Sequence, residues 1–115
     1  MNESPVFTRT YDLLLWLIPQ VQGFPRAYRF SLSERIQNIA LDFQDQLIAA
    51  GKSRASQRQT HLRQADVRLE QLRLWMRFAR DQKLISVPQY EHFARMVTET
   101  GNCLGGWIKD EMGSK

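Results

Sequence analysis

Two histidines (His61 and His92), one cysteine (Cys103) and a run of arginines are the residues of this 115-residue chain whose types could do chemistry. The histidines and the cysteine stand at no spacing that gathers metal ligands. Neither histidine has a nucleophile beside it in sequence, so both read as surface or boundary side chains. A di-iron bundle would need Glu-x-x-His pairs, but Glu91 and His92 are adjacent. Gly105-Gly106 follows no strand and lacks the spacing of a phosphate loop. No catalytic residue, metal site or cofactor is therefore expected, and the chain reads as a non-enzyme. A single cysteine excludes an intramolecular disulfide framework and fits a reducing cytoplasm.

The arginines are the stronger signal. Residues 52–83 hold nine basic side chains: Lys52, Arg54, Arg58, Arg63, Arg68, Arg73, Arg77, Arg80 and Lys83. Only Asp66, Glu70 and Asp81 oppose them, a local charge of +6 in a chain of net +4, so the remainder carries −2. Such a concentrated field attracts a polyanion or an acidic protein surface. Arg73, Arg77 and Arg80 follow at four-three spacing and share one helical face. Glu70 can pair with Arg73 or Arg77, so a solvated face laced with internal ion pairs is the competing reading.

Hydrophobic periodicity predicts that helices carry these residues. A first helix should start at Ser4-Pro5, a capping residue before a proline at the first helical position, with a stripe of Phe7, Tyr11, Leu14, Ile18 and Val21. Pro19 should kink it or end it early, ahead of a turn at Gly23-Phe24-Pro25. Residues 25–30 can form a helical turn. Ser31 and Glu34 match a capping box opening a second helix with Leu32, Ile36, Ile39, Phe43 and Leu47 inward, and Gly51 suits a left-handed C-terminal position. A third helix over about 56–82 repeats Leu62, Ala65, Leu69, Leu72, Met76 and Ala79 at bundle-seam spacing. Leu84-Ile85 make the next turn, and Ser86 with Gln89 caps a fourth helix with stripe Tyr90, Ala94, Val97, Gly101, Leu104 and Ile108. The sum is a single all-α domain over 1–115, an antiparallel up-down-up-down four-helix bundle. The apolar run at 13–18 is too short to span a bilayer, and no secretory signal is visible, so neither membrane nor export is expected.

Helix three breaks the amphipathic rule. Val67, Leu74 and Phe78 project opposite its core seam, with Trp75 to one side. Either this helix is central in its own bundle, or the second stripe is a self-association surface; the second reading is preferred, because exposure would leave a sticky patch. Symmetry would then repeat the arginine face and multiply its field. Gly101, Gly105 and Gly106 either let a neighbouring helix approach closely or end the helix at Gly105.

Four stretches carry a family resemblance. Phe24-Pro25-Arg26…Arg29-Phe30…Leu32…Arg35-Ile36 resembles the second-helix entry of four-helix-bundle proteins of bacterial ribosomal-RNA intervening sequences. Leu72-Arg73-Leu74…Arg77…Ala79-Arg80-Asp81, Tyr90-Glu91-His92 and Gly101…Leu104-Gly105-Gly106-Trp107-Ile108-Lys109 narrow it to the Avd (accessory variability determinant) proteins of diversity-generating retroelements. The resemblance spans Tyr11 to Lys109. It implies a cytoplasmic, bacterial or phage-encoded accessory protein that forms a homopentameric ring. Its expected partners are a reverse transcriptase and RNA and DNA, bound largely without sequence preference during mutagenic cDNA synthesis. Arg73, Arg77 and Arg80, with Arg63, Arg58 and Arg54, would form the basic binding surface, and Val67, Leu74, Trp75 and Phe78 the oligomer interface. The competing expectation is a protein-interaction module that never touches nucleic acid.

Overall fold

The computed structural model describes residues 5–113. Its helices are α1 (Pro5–Gln22), α2 (Glu34–Gly51), α3 (Ala55–Asp81) and α4 (Val87–Gly113), and no strand occurs among the described residues. A 3₁₀ turn (Arg26–Tyr28) and a π-helical turn (Arg29–Ser33) link α1 to α2. Each helix packs on its sequence neighbours and α4 returns to α1, closing an up-down-up-down bundle of 48 × 25 × 23 Å.

One core runs the length of the bundle, through Val6, Leu13, Leu17, Ile36, Phe43, Leu47, Leu62, Leu69, Leu72, Met76, Phe93 and Leu104. On α3 the buried set is the expected Leu62, Ala65, Leu69, Leu72, Met76 and Ala79. On α2 the expected stripe is buried as well, with Leu32 contributed from the π-helical turn. The outer helices are rotated from the expectation. α1 buries Val6, Thr10, Leu13, Leu17 and Val21, while Tyr11 is 62% exposed. α4 buries Phe93, Val97, Thr100 and Leu104, leaving Tyr90, Ala94, Gly101 and Ile108 half-buried. Both rotations place a threonine in the core. Each hydroxyl donates back to its own helix, Thr10 to the Val6 carbonyl at 2.6 Å and Thr100 to that of Met96 at 2.9 Å, so its burial leaves no orphan.

Three local expectations need correction. Pro19 does not end α1, which continues to Gln22. Pro19 offers no amide to the Leu15 carbonyl, so the helix runs on with that one bond missing. Ser31 does not cap α2; its hydroxyl donates to the Tyr28 carbonyl at 3.4 Å, because the π-helical turn feeds α2 without a break. Gly51 is not left-handed, and the positive φ angles fall instead on Ala55 (52°) and Lys83 (61°). Ser86 does cap α4: the Gln89 amide donates to its hydroxyl at 3.1 Å, and its own amide donates to the Gln89 side chain at 2.8 Å. The cap expected of Ser4 lies outside the described residues.

Candidate functional site

Helix α3 is held between α2 and α4, and its flanking arginines are drawn to those neighbours. On the α2 side Arg68 donates to Asp42 at 2.6 Å and to Gln71 at 3.0 Å. Near the start of α3, Arg58 donates to the Ala50 carbonyl at 2.9 Å and to Glu111 of α4 at 3.1 Å. Both partners of that pair are at least two-thirds buried, which makes Arg58 a tie between helix ends. On the α4 side Arg73 pairs with Glu70 at 3.0 Å, and its guanidinium covers Gly101, where an added Cβ would meet Nη2 at 2.7 Å. Arg80 pairs with Asp81 and lies over the Tyr90 ring, 4.5 Å from its centroid.

The expected binding arginines therefore fall into two sets. Arg54, Arg63 and Arg77 are exposed, and among the described residues their side chains have no hydrogen-bond or ion-pair partner. Arg58, Arg73 and Arg80 are engaged, but not equally. The Glu70 carboxylate facing Arg73 and the Asp81 carboxylate facing Arg80 are more than half exposed. Exposed pairs of this kind hold together by roughly 1 kcal/mol or less, so a phosphate can displace the carboxylate. Arg58 is the most committed of the six.

Beside these arginines lies the second stripe. Val67 is 52%, Leu74 49% and Phe78 40% exposed, so α3 does not bury this stripe within its own bundle. Trp75 is half-buried and meets Phe78 edge-on, with ring centroids 5.7 Å apart. Together they line one wall of a groove of about 610 Å³ whose other wall holds Tyr28, Phe30 and Leu32 beside the polar Ser31, Glu34, Arg35 and Asn38. Phe30 was not anticipated as a surface residue, yet it is 81% exposed. Tyr11, Leu15, Leu41 and Ile48 leave a further exposed apolar set on α1 and α2.

The histidines lie within α3 and α4, half-buried against neighbouring helices. His61 Nδ1 is 2.8 Å from Gln46 Oε1, and the His92 ring packs against Trp16. Among the described residues no group of three His, Cys, Asp or Glu side chains could hold a metal, and no helix is long and apolar enough to cross a membrane.

The profile of the bAvd-like family matches residues 6–111, nearly the whole chain. The chain belongs to the bAvd-like family. A solved structure from Bacteroides thetaiotaomicron, described as a protein of unknown function from the S23 ribosomal protein family, has the same bundle. It superposes with a TM-score of 0.78 at 17% identity, covering 90% of this chain and 98% of that one, a likeness of fold alone. Comparison with curated proteins found no match. Within a bAvd-like bundle, the open arginines of α3 and the stripe beside them are the surface features that the core does not require.

Proposed function

We propose that this protein is a non-catalytic accessory subunit of a diversity-generating retroelement, binding the reverse transcriptase, its template RNA and the cDNA during mutagenic synthesis. Membership of the bAvd-like family supports the setting. The observation that carries the binding is the outer face of α3, where Arg63 and Arg77 stand open beside exposed Val67, Leu74 and Phe78. Guanidinium groups suit the role because they contact phosphates bidentately and stack on unpaired bases. Phosphate contacts of this kind are indifferent to sequence. The apolar stripe fits association with further copies. The exposed apolar sets of α1–α2 and α3 differ, which permits a head-to-tail contact of the kind that the ring implied by the family resemblance requires.

Reconstitution with the reverse transcriptase of the same retroelement and its template RNA tests the reading. Omitting this protein should abolish or sharply reduce cDNA, and replacing Arg54, Arg63 and Arg77 by alanine should do nearly the same while the fold is kept. If the variant loses polymerase co-purification but binds nucleic acid as before, the arginines grip an acidic protein patch and the protein-module alternative holds. Undiminished cDNA without the protein would exclude the accessory role.

A further inference from the structure

At the α1–α2 end of the bundle lies a second basic feature, outside the arginine-rich helix. Pro25 sets up a single 3₁₀ turn, Arg26–Tyr28, which closes with the Arg29 amide donating to the Arg26 carbonyl. In a 3₁₀ turn side chains three apart eclipse one another, so Arg26 and Arg29 leave the chain on the same side. The π-helical turn that follows widens the backbone and carries Ser33 beneath the end of α1, where its buried hydroxyl donates to the Val21 carbonyl at 2.9 Å. One turn later Gln37 donates to the Ser33 carbonyl at 3.3 Å. These bonds fix one wall of a cleft of about 580 Å³ lined by Gln22, Phe24, Arg26, Arg29, Ser33 and Gln37. Its volume falls in the range of small-ligand sites, roughly 300–1,000 Å³.

The charge of the cleft is one-sided. Among the described residues no carboxylate lines it, Arg26 has no side-chain partner, and Arg29 has only the Phe30 ring, over which its guanidinium carbon lies 5.8 Å from the centroid. Glu34, the first residue of α2, lines the other groove instead. Arg26 and Arg29 line the cleft with Gln22 and Gln37 and with buried Phe24, a set of donors suited to an oxyanion with several acceptor oxygens. π-helical turns are rare and often occur at functional sites, because they cost regular hydrogen bonding to aim side chains.

We propose that this cleft binds a phosphate group of a nucleic-acid strand, held by Arg26 and Arg29. The inference rests on the strand-binding reading above and adds a site that the arginines of α3 do not contain. The phosphate can come from the strand's 5′ end or from its backbone; both present the same oxygens.

The full chain is titrated with a single-stranded RNA 12-mer carrying a 5′-phosphate, the same RNA with a 5′-hydroxyl, and inorganic phosphate. The unaltered protein is compared with Arg26→Gln/Arg29→Gln and with Arg63→Gln/Arg77→Gln. Because Arg26 and Arg29 are exposed, the first variant should melt with the unaltered protein. It should bind RNA at least about tenfold more weakly, with a salt dependence shallower by about 1.4 logarithmic units per decade, the loss of two phosphate contacts. It should also lose the shift that inorganic phosphate induces in the arginine Nε–H resonances, which the second variant should retain. A loss confined to the 5′-phosphorylated RNA assigns the site to the strand end, and an equal loss with both RNAs assigns it to the backbone. If the first variant binds RNA and phosphate like the unaltered protein, the cleft proposal is overturned. If no RNA binds but inorganic phosphate still requires Arg26 and Arg29, the site stands and the strand-binding reading fails.

Discussion

Lys83 closes α3 in a conformation that usually belongs to glycine. Its amide donates to the Arg80 carbonyl and that of Leu84 to Ala79, each at 2.9 Å, the paired bonds of a Schellman ending with φ 61° at Lys83. A Cβ in that region is strained, so Lys83→Gly is expected to stabilise the protein by about 0.5–1 kcal/mol in urea unfolding. Ser33 works in the other direction. Ser33→Ala removes the bridge to Val21 and should cost about 1 kcal/mol in the same measurement. Neither residue was legible in the sequence as a special position. Lysine gives no hint of positive φ, and Ser31-Leu32-Ser33-Glu34 carries a capping pattern that holds only if the chain before it is extended. Here that chain is already helical, so Ser31 finds a carbonyl instead of an amide. At Ser86 the preceding chain is a turn, and the same pattern reads correctly.

Among the elements, the central pair α2 and α3 was legible and the phase of the outer pair was not. On α3 the seam repeats at three-four spacing for nearly three heptads, longer than the second stripe of Val67, Leu74 and Phe78, which favours one phase for the core. On α1 the unbroken apolar run of residues 13–18 fits two phases, and the deciding position holds a threonine that bonds to its own helix. The arginine face was legible as composition but not as geometry, since pairing of Arg58 with Glu111 and Arg68 with Asp42 depends on which helices adjoin. Helix α4 shows the same dependence. Its glycines do not end it; Gly101 lies under Arg73 and Leu69 of α3, whereas Gly105 and Gly106 meet nothing within 4 Å. Gly106→Ala should therefore add about 1 kcal/mol of stability in dilute protein. Gly101→Ala should gain less, because the Arg73 guanidinium must first move aside. A loss of stability or of assembly at Gly106 would place another surface against that face.

For the whole molecule, the bundle separates two kinds of surface. Its interior is closed by one core, and what remains outside is an apolar stripe flanked by open arginines on α3 and a second basic cleft at the α1–α2 end. Leu74→Glu with Phe78→Glu removes nothing from the core and should leave the helix content of the folded bundle unchanged by circular dichroism. In native mass measurement the same pair should reduce an assembly to single chains; an unchanged assembly would show that copies meet elsewhere. If the protein acts by holding a polyanion on α3, the affinity for single-stranded RNA must depend on salt. Affinity should fall steeply from low to moderate salt, with the logarithmic slope shallower by about two when Arg54, Arg63 and Arg77 are replaced by alanine. An affinity that stays flat across that range, or a slope that the three replacements leave unchanged, would contradict it.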